Sequence, residues 1–492
     1  MQTLQNFIYG QYSSSNSSKT FDIMNPATQG IIGKTPLGTA FDVDQAIEAA
    51  TTAFSSWKVT PAVDRIQPLF QLKYLMEESL EDLARTITLE HGKTLAESRG
   101  SVRRAIQMVE TATSMPTLMM GECQADIAKG IDSVSFRRPL GVFAGIAPFN
   151  FPAMVPFWFW PFAIAAGNTF VLKPSERVPL TMMKIIELLQ KTDLPAGVMN
   201  MVHGGKEVVD RLCSHPQIEG VSFVGSTPVA QHVYQTASQH GKRVQALGGA
   251  KNIMVVLPDA VATDRLQKRN VSMAIDSVIG CAGQRCLAGS IILCVGNETL
   301  EKVKKQSIDY CQKVTVGDGL DPQSSLGPLI SKEAKERVSG LIDRAIKQGA
   351  QLVVDGRESY DKTLYMGPCI LQGVTSEMEI AREEVFGPVI LLGQTSSLDE
   401  AIRWMNCIEY ANTTTLFTES GGAAQYFSAH AHPSMIGINI GVPAPMSFFS
   451  FGGSKKSFFG DLKAHGQEGT LFFTEAVTTI SRWQGDGQVW SS

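Results

Sequence analysis

No two of the eight cysteines stand in a CxxC pair, so neither a zinc ribbon nor a dithiol redox motif is spelled out. Their scatter suits a reducing compartment better than a disulfide scaffold, and a cytoplasmic location is expected. No lysine- or arginine-rich run interrupts the chain, and its formal net charge is −4. That balance gives no electrostatic reason to expect nucleic acid or an anionic membrane as a partner. The first 18 residues hold neither Lys nor Arg, which excludes the basic start of a signal or transit peptide there. The longest apolar stretch, Phe151 to Ala166, is shorter than the ~20 residues a bilayer span requires. It also carries Pro152, Pro156 and Pro161, and it reads as a buried helix. Missing as well are GxSxG, HExxH and a complete GxGxxG, and no metal site is expected. His91-Gly-Lys-Thr94 ends like a phosphate-binding loop but lacks the earlier glycine and has helical flanks.

What is present is an ordinary globular composition, with 43% hydrophobic and 18% charged residues over 492 positions. Length alone predicts about three domains at ~150 residues each. Ser13 to Ser18 reads as a flexible turn. Helical spacing follows over Asp44–Trp57, Pro61–Leu89 and Thr94–Thr113. Cys123 to Arg137 mixes short alternating segments and reads as an extended arm. Strands at Gly141–Ala147, Thr169–Lys173, Val198–Val202, Glu219–Val224 and Val244–Leu247 then alternate with helices, the pattern of a parallel sheet covered on both faces. A second alternating block runs from Asn252 to about Gly441. Thr470 to Trp483 reads as a terminal strand that pairs with the arm or with another subunit.

Three places offer chemistry. Phe223-Val-Gly-Ser-Thr-Pro-Val-Ala230 joins a strand to a helix, with Gly225 for a tight turn, Thr227 as the expected N-cap and Pro228 at the first helical position. The free N–H groups of that start form a site for a pyrophosphate, unless the segment is only a plain turn. Lys173-Pro-Ser-Glu176 lies at the carboxyl end of a strand, where open α/β sheets bind ligands. A carboxylate there accepts from both ribose hydroxyls and repels a 2′-phosphate, so Glu176 favours NAD over NADP; a solvated loop is the alternative. Gly280-Cys-Ala-Gly-Gln-Arg-Cys286 breaks a helix with glycines and presents Cys286 beside Arg285, a cation expected to lower the thiol pKa. Cys281 reads as a buried inert cysteine. Asn150, in the Pro148-Phe-Asn-Phe-Pro152 turn, can donate to a developing oxyanion or simply cap the turn.

Taken together, these residues resemble the aldehyde dehydrogenase superfamily from about Asn25-Pro-Ala27 to Trp483. Five separated motifs agree in order: Pro148 to Pro152, Lys173 to Glu176, Phe223 to Ser226, Gly283 to Cys286, and Glu383-Glu-Val-Phe-Gly-Pro388. The resemblance implies Cys286 as nucleophile, with Asn150 and the Cys286 N–H as oxyanion hole. It implies Phe149, Lys173, Ser175, Glu176, Gly225, Ser226, Glu384 and Phe386 as cofactor-binding residues for NAD. The implied fold is α/β, aldehyde dehydrogenase-like, with two parallel-sheet Rossmann-type domains and a β-strand oligomerisation arm. Residues 1–120 and 140–250 would form the NAD-binding domain, 251–441 the catalytic domain, and 121–139 with 469–492 the arm of a homo-oligomer, a tetramer above all.

Within the superfamily the chain most resembles the CoA-acylating methylmalonate-semialdehyde dehydrogenases, through Gly145 to Pro156, Gly167 to Phe170, Lys173 to Pro179, His240 to Ala246 and Ala282 to Cys286. Hydrolytic relatives carry a glutamate in Glu-Leu-Gly-Gly-Lys. Here Ala246-Leu-Gly-Gly-Ala-Lys251 puts either Leu247 or Ala246 at that place, and neither is a base. Losing a base slows hydrolysis by ~10²–10⁴-fold, more than it slows attack by a thiol, so coenzyme A is implied as co-substrate. The subfamily usually has Asn at this place, and Val261 to Asn270 is a few residues longer than its norm. Arg285 and Arg104, with Arg103 as the alternative, would bind the carboxylate of a small semialdehyde substrate. The rival readings are a hydrolytic NAD-dependent aldehyde dehydrogenase of another aldehyde and a catalytically silent binding relative.

Overall fold

The computed structural model describes residues 3–357, 360 and 363–482. Two large sheets dominate. In the first the strand order is Gln11–Ser13, Asn6–Ile8, Met199–Met201, Thr169–Lys173, Val142–Ile146, Ile218–Val224, Arg243–Leu247, Phe458–Gly460. Its five central strands are parallel, and both edges are closed by antiparallel strands. The central strands are buried on both faces, which explains their unbroken apolar runs. Val142, Ala144 and Ile146 point into one core with Val43, Ile47, Val208 and Val233. Phe143, Phe170 and Leu172 point into the other, against Leu69, Ile87, Val109 and Ile185. This is the period-two alternation of a strand, filled on each side by helices.

The second sheet runs Gln351–Val354, Cys369–Gln372, Val389–Thr395, Gly289–Val295, Asn252–Val256, Thr413–Phe417, Met435–Ile438 and is parallel except at the Gln351–Val354 edge. The parallel-sheet expectation therefore holds for the centre of each sheet, but not for either margin of the first or for the Gln351–Val354 margin of the second. The arm is a separate three-stranded sheet in which Thr474–Arg482 pairs antiparallel with Ile131–Pro139, and that strand with Cys123–Ala128. The terminal strand does pair with the earlier arm.

Several local expectations need correction. Pro61–Leu89 is three helices, Ala62–Arg65, Gln67–Glu78 and Leu80–His91. The Phe151–Ala166 stretch is buried but only partly helical, with a 3₁₀ turn at Pro156–Trp158 and a helix at Trp160–Ala165. Prolines fix φ and remove donors, so a continuous helix cannot form there. The terminal strand starts at Thr474 because Gly466–Phe473 is a helix whose Phe472 and Phe473 pack on Phe143. Trp483, the expected end of that strand, lies outside the described residues, as does the rest of 483–492. The polar N-terminus, read only as a turn at Ser13 to Ser18, also supplies two edge strands to the first sheet and a Thr20–Asn25/Gly30–Pro36 hairpin. Val261 to Asn270 ends a 3₁₀ turn and begins the Asp264–Ile279 helix. Among the described residues no helix is long and apolar enough to cross a membrane.

Candidate active site

The Asp264–Ile279 helix buries Val271, Ala274, Ile275 and Val278 and stops at Gly280. Cys281 and Ala282 then adopt left-handed φ values of 52° and 54°. For residues with a side chain this costs about 1–2 kcal/mol each, so the turn must be held from outside. The Cys281 N–H donates to Glu97 Oε1 at 2.6 Å. Gln284 Nε2 donates to the Cys281 carbonyl at 3.2 Å, and its Oε1 accepts from Ile330 N–H at 3.0 Å. The Cys286 carbonyl accepts from the Asn252 and Asn412 amides at 2.9 and 3.0 Å. Gly283, at φ 73°, passes so close to the Gly387 carbonyl that a Cβ would stand 2.1 Å from its oxygen.

This clamped turn puts Cys286 on the wall of a cavity of about 280 Å³, shared with Arg104, Arg285, Phe151, Met154 and Trp158. Its thiol is pushed up to about 12 by burial first and by the Glu384 carboxylate second, against its own N–H, the Leu287 N–H and Arg285. The expectation that Arg285 lowers this thiol holds in direction, but burial and the Glu384 carboxylate outweigh it. The guanidinium is turned elsewhere: Nε donates to Cys281 Sγ at 3.2 Å, and Nη2 pairs with Glu97 at 3.1 Å. It lies over Gly280, where a Cβ would sit 2.3 Å from Nη1.

Asn150 ends the turn after Val142–Ile146 and is 4% exposed. Its Nδ2 donates to the Gln284 carbonyl at 3.1 Å, which fixes the amide beside the cysteine turn and leaves one N–H. Its backbone carbonyl accepts from Lys93 Nζ at 2.5 Å. Lys93 was missed by sequence reasoning. It is buried, lies 3.8 Å from the Phe151 ring centroid, and sits between two helices. Gly92, at φ 90°, caps one of them, and a Thr94–Glu97 capping box starts the next. The Thr-x-x-Glu box was legible; the tertiary partner of Lys93 was not.

At the carboxyl ends of the first sheet, Lys173 Nζ pairs with Glu176 Oε2 at 2.9 Å. Burial works to raise the Glu176 carboxyl, but the Lys173 charge and hydrogen bond outweigh it and hold the group below its usual range. Ser175 is buried beside them, accepting from the Arg177 N–H at 3.3 Å. The helix after Ile218–Val224 begins one residue earlier than expected. Ser226 is its N-cap, Thr227 is already helical, and the Thr227 hydroxyl accepts from the Gly249 N–H at 2.9 Å. Gly225 is required because a Cβ would meet the Phe223 ring at 2.5 Å. Phe149 stacks on His91 and meets Phe386 edge-on, with both centroid distances 5.9 Å. Glu384 is half-buried near Gly249, its carboxyl accepting from the Ala250 N–H; desolvation raises it to about 7. Burial lowers Lys251 to about 7, and its Nζ has no hydrogen-bond partner among the described residues. Ala246 and Leu247 end the Arg243–Leu247 strand as buried apolar residues paired with Phe459 and Phe458.

The aldehyde dehydrogenase family model matches residues 12–479. The chain belongs to the aldehyde dehydrogenase family. It is 45% identical over 486 residues to a malonate-semialdehyde dehydrogenase of Oceanobacillus iheyensis, covering 98% of each chain. A malonate-semialdehyde dehydrogenase of Halalkalibacterium halodurans is also 45% identical, over 98% of this chain and 99% of that one. Among solved structures, the methylmalonate-semialdehyde dehydrogenase of Oceanimonas doudoroffii superposes with a TM-score of 0.96 at 41% identity, covering 99% of both chains. A Sinorhizobium meliloti protein, provisionally assigned as a methylmalonate-semialdehyde dehydrogenase and solved with NAD, gives 0.96 at 37% identity over 99% of both chains.

In this aldehyde dehydrogenase the two expected arginines reach the cavity by different routes. Arg104, on the Leu95–Ala112 helix, donates through Nη2 to the Pro445 carbonyl and through Nη1 to Gln107 Oε1 at 3.2 Å. It makes no ion pair among the described residues, and burial lowers its pKa. Arg103, the alternative, points outward to Glu77 at 3.4 Å. Sequence reasoning missed Glu97 and His465 on the cavity wall. His465 is buried among Trp158, Phe162 and Phe451, and burial, then Arg104, lowers its ring to about 3. Neither residue follows a spacing that points to this cavity; only the tertiary fold brings them there.

Proposed function

We propose that the chain oxidises malonate or methylmalonate semialdehyde with NAD through a thioester on Cys286, and passes the decarboxylated acyl group to coenzyme A. The observation that carries this reading is the shared cavity: Cys286 on one wall, an arginine without a carboxylate partner on another, and no base at 246 or 247. The names of the relatives support the substrate class.

The residues present fit a dinucleotide. Gly225 allows the tight turn, its own N–H donating to the Leu247 carbonyl at 3.1 Å, while the helix start behind Ser226 has no side-chain cap and suits a pyrophosphate; Glu176 suits ribose hydroxyls while repelling a 2′-phosphate. Phe149, Ser175 and Phe386 are assigned to the same cofactor, and Glu384 to its second ribose. NAD, when bound, supplies the hydride acceptor. Residues 1–120 and 140–250 are taken as the domain that binds it, and 251–441 as the catalytic domain.

The Cys286 thiol gives up its proton to solvent, and its sulfur attacks the aldehyde carbon and forms a hemithioacetal. The free Asn150 N–H and the Cys286 N–H receive the oxyanion, the kind of preorganised donor pair worth several kcal/mol to the transition state. Loss of hydride from carbon gives the thioester. Arg104 and Arg285 orient the carboxylate β to the new carbonyl. The bond to that carboxylate breaks, its electrons enter an enolate, carbon dioxide leaves and the carbon takes a proton from solvent. The thiolate of coenzyme A then attacks the carbonyl and frees Cys286. With apolar side chains at 246 and 247, water has no base there to activate it. The arm carries exposed Val134, Phe136 and Ile480 and is assigned to subunit contacts in a tetramer. The cysteine scatter supports a cytoplasmic setting.

The test is a steady-state assay with malonate semialdehyde and NAD, with and without coenzyme A. Turnover is expected to need coenzyme A and to yield acetyl-CoA. Full-rate release of free acid without coenzyme A would establish the hydrolytic reading instead.

A further inference from the structure

Glu97 occupies a position that the chemistry above does not use. Its Oε2 closes the capping box at Thr94, accepting from the Thr94 N–H and hydroxyl at 3.0 Å each. Its Oε1 crosses to the nucleophile turn, accepting from the Cys281 N–H at 2.6 Å and from Arg285 Nη2 at 3.1 Å. The same side chain lines the cavity with Arg104, Arg285 and Cys286. One carboxylate thus joins the start of the helix that carries Arg104 to the turn that carries Cys286. Arg285 is held from below as well, since Gly280 leaves room for its guanidinium and Cys281 Sγ accepts from its Nε.

We infer that Glu97 is a positioning and specificity residue: it fixes Arg285 and cancels one of the two cavity arginine charges, so that a carboxylated aldehyde is bound without its carboxylate being locked. The inference rests on the substrate reading above. Its physical basis is the charge balance at the wall. The charged side chains lining the cavity are Glu97, Arg104 and Arg285, and only Arg104 makes no ion pair among the described residues. Lys93 lies behind the wall, with its Nζ on the Asn150 carbonyl. A carboxylate that must depart as carbon dioxide loses its charge in the departing fragment. Two unopposed guanidinium groups would bind the semialdehyde tightly and hold the carboxylate in its ground state, and tight ground-state binding does not raise turnover. With Glu97 in place, one arginine orients by shape while the other attracts by charge.

The test compares Glu97→Gln with wild type on malonate semialdehyde and on propanal, a neutral aldehyde of similar size, with NAD and coenzyme A present. Glutamine still accepts from the Cys281 N–H but removes the charge. KM for the semialdehyde is expected to fall about tenfold, the scale of one screened charge a few ångströms away. Its kcat is expected to fall as well, while both constants for propanal stay within about twofold. Thr94→Ala, which weakens the same capping box but spares the Glu97–Arg285 pair, is expected to show no such split. Parallel losses on both aldehydes in Glu97→Gln, an unchanged semialdehyde KM, or the same split in Thr94→Ala would overturn the inference. If wild type shows no preference for the carboxylated aldehyde, the substrate reading fails and the Glu97 inference fails with it; the wild-type arm separates the two cases.

Discussion

Cys286→Ala is expected to abolish aldehyde-dependent NAD reduction, with turnover falling by roughly 10⁴- to 10⁶-fold, as when other enzymes lose a covalent nucleophile. The size of the effect follows from the position of the sulfur. Cys286 Sγ lies at the N–H groups of Cys286 and Leu287 on the cavity wall, and the proposed hydride transfer needs a tetrahedral carbon bonded to that atom. Cys281, the other thiol of the cavity, is engaged by the Arg285 guanidinium and belongs to a left-handed turn fixed by Glu97. It therefore cannot replace the lost nucleophile. Because Cys286 is not among the residues assigned to the cofactor, NAD affinity measured by fluorescence titration is expected to stay within about threefold, under 1 kcal/mol. Residual turnover above a few per cent of wild type would show that the covalent route is wrong.

Asn150→Ala is expected to cost ~10²–10³-fold in kcat, about 3–4 kcal/mol, with a much smaller change in KM. The amide has one N–H on the Gln284 carbonyl and one left to donate. A donor aimed at a charge that exists only after attack strengthens in the transition state, so its removal shows in kcat and kcat/KM together. The backbone carbonyl of residue 150 still accepts from Lys93 after the substitution, so the turn keeps its anchor. Stopped-flow measurement of the first turnover separates this loss from slow acyl transfer. A change confined to KM would place Asn150 in ground-state binding.

Much of the framework was legible because the relevant physics is local. Buried parallel strands such as Thr169–Lys173 announce themselves as short apolar runs ended by a turn residue, and that strand matches its expected bounds. The Ser226 helix start was legible to within one residue, since Ser, Thr and Pro all favour that end of a helix and do not by themselves decide which one caps. What the chain alone could not reveal depends on distant contacts. The Cys286 environment looked cationic from its neighbour in sequence, yet Glu97, about 190 residues away, turns Arg285 aside. Burial then sets the thiol. Lys93 looked like part of a failed phosphate loop, and its partner is a backbone carbonyl 57 residues on. The helix at Gly466–Phe473 was hidden by a sequence that also alternates like a strand; the demand of Phe472 and Phe473 for the first core decides it.

The most direct measurement of the central claim is a single-turnover reaction of the full chain with NAD and malonate semialdehyde, without coenzyme A, quenched in acid and examined by peptide mass spectrometry. One NADH per active site and an acetyl mass on the peptide containing Cys286 are expected, because decarboxylation precedes transfer. A stoichiometric burst with an unmodified Cys286, or an acyl group on any other residue, would contradict it.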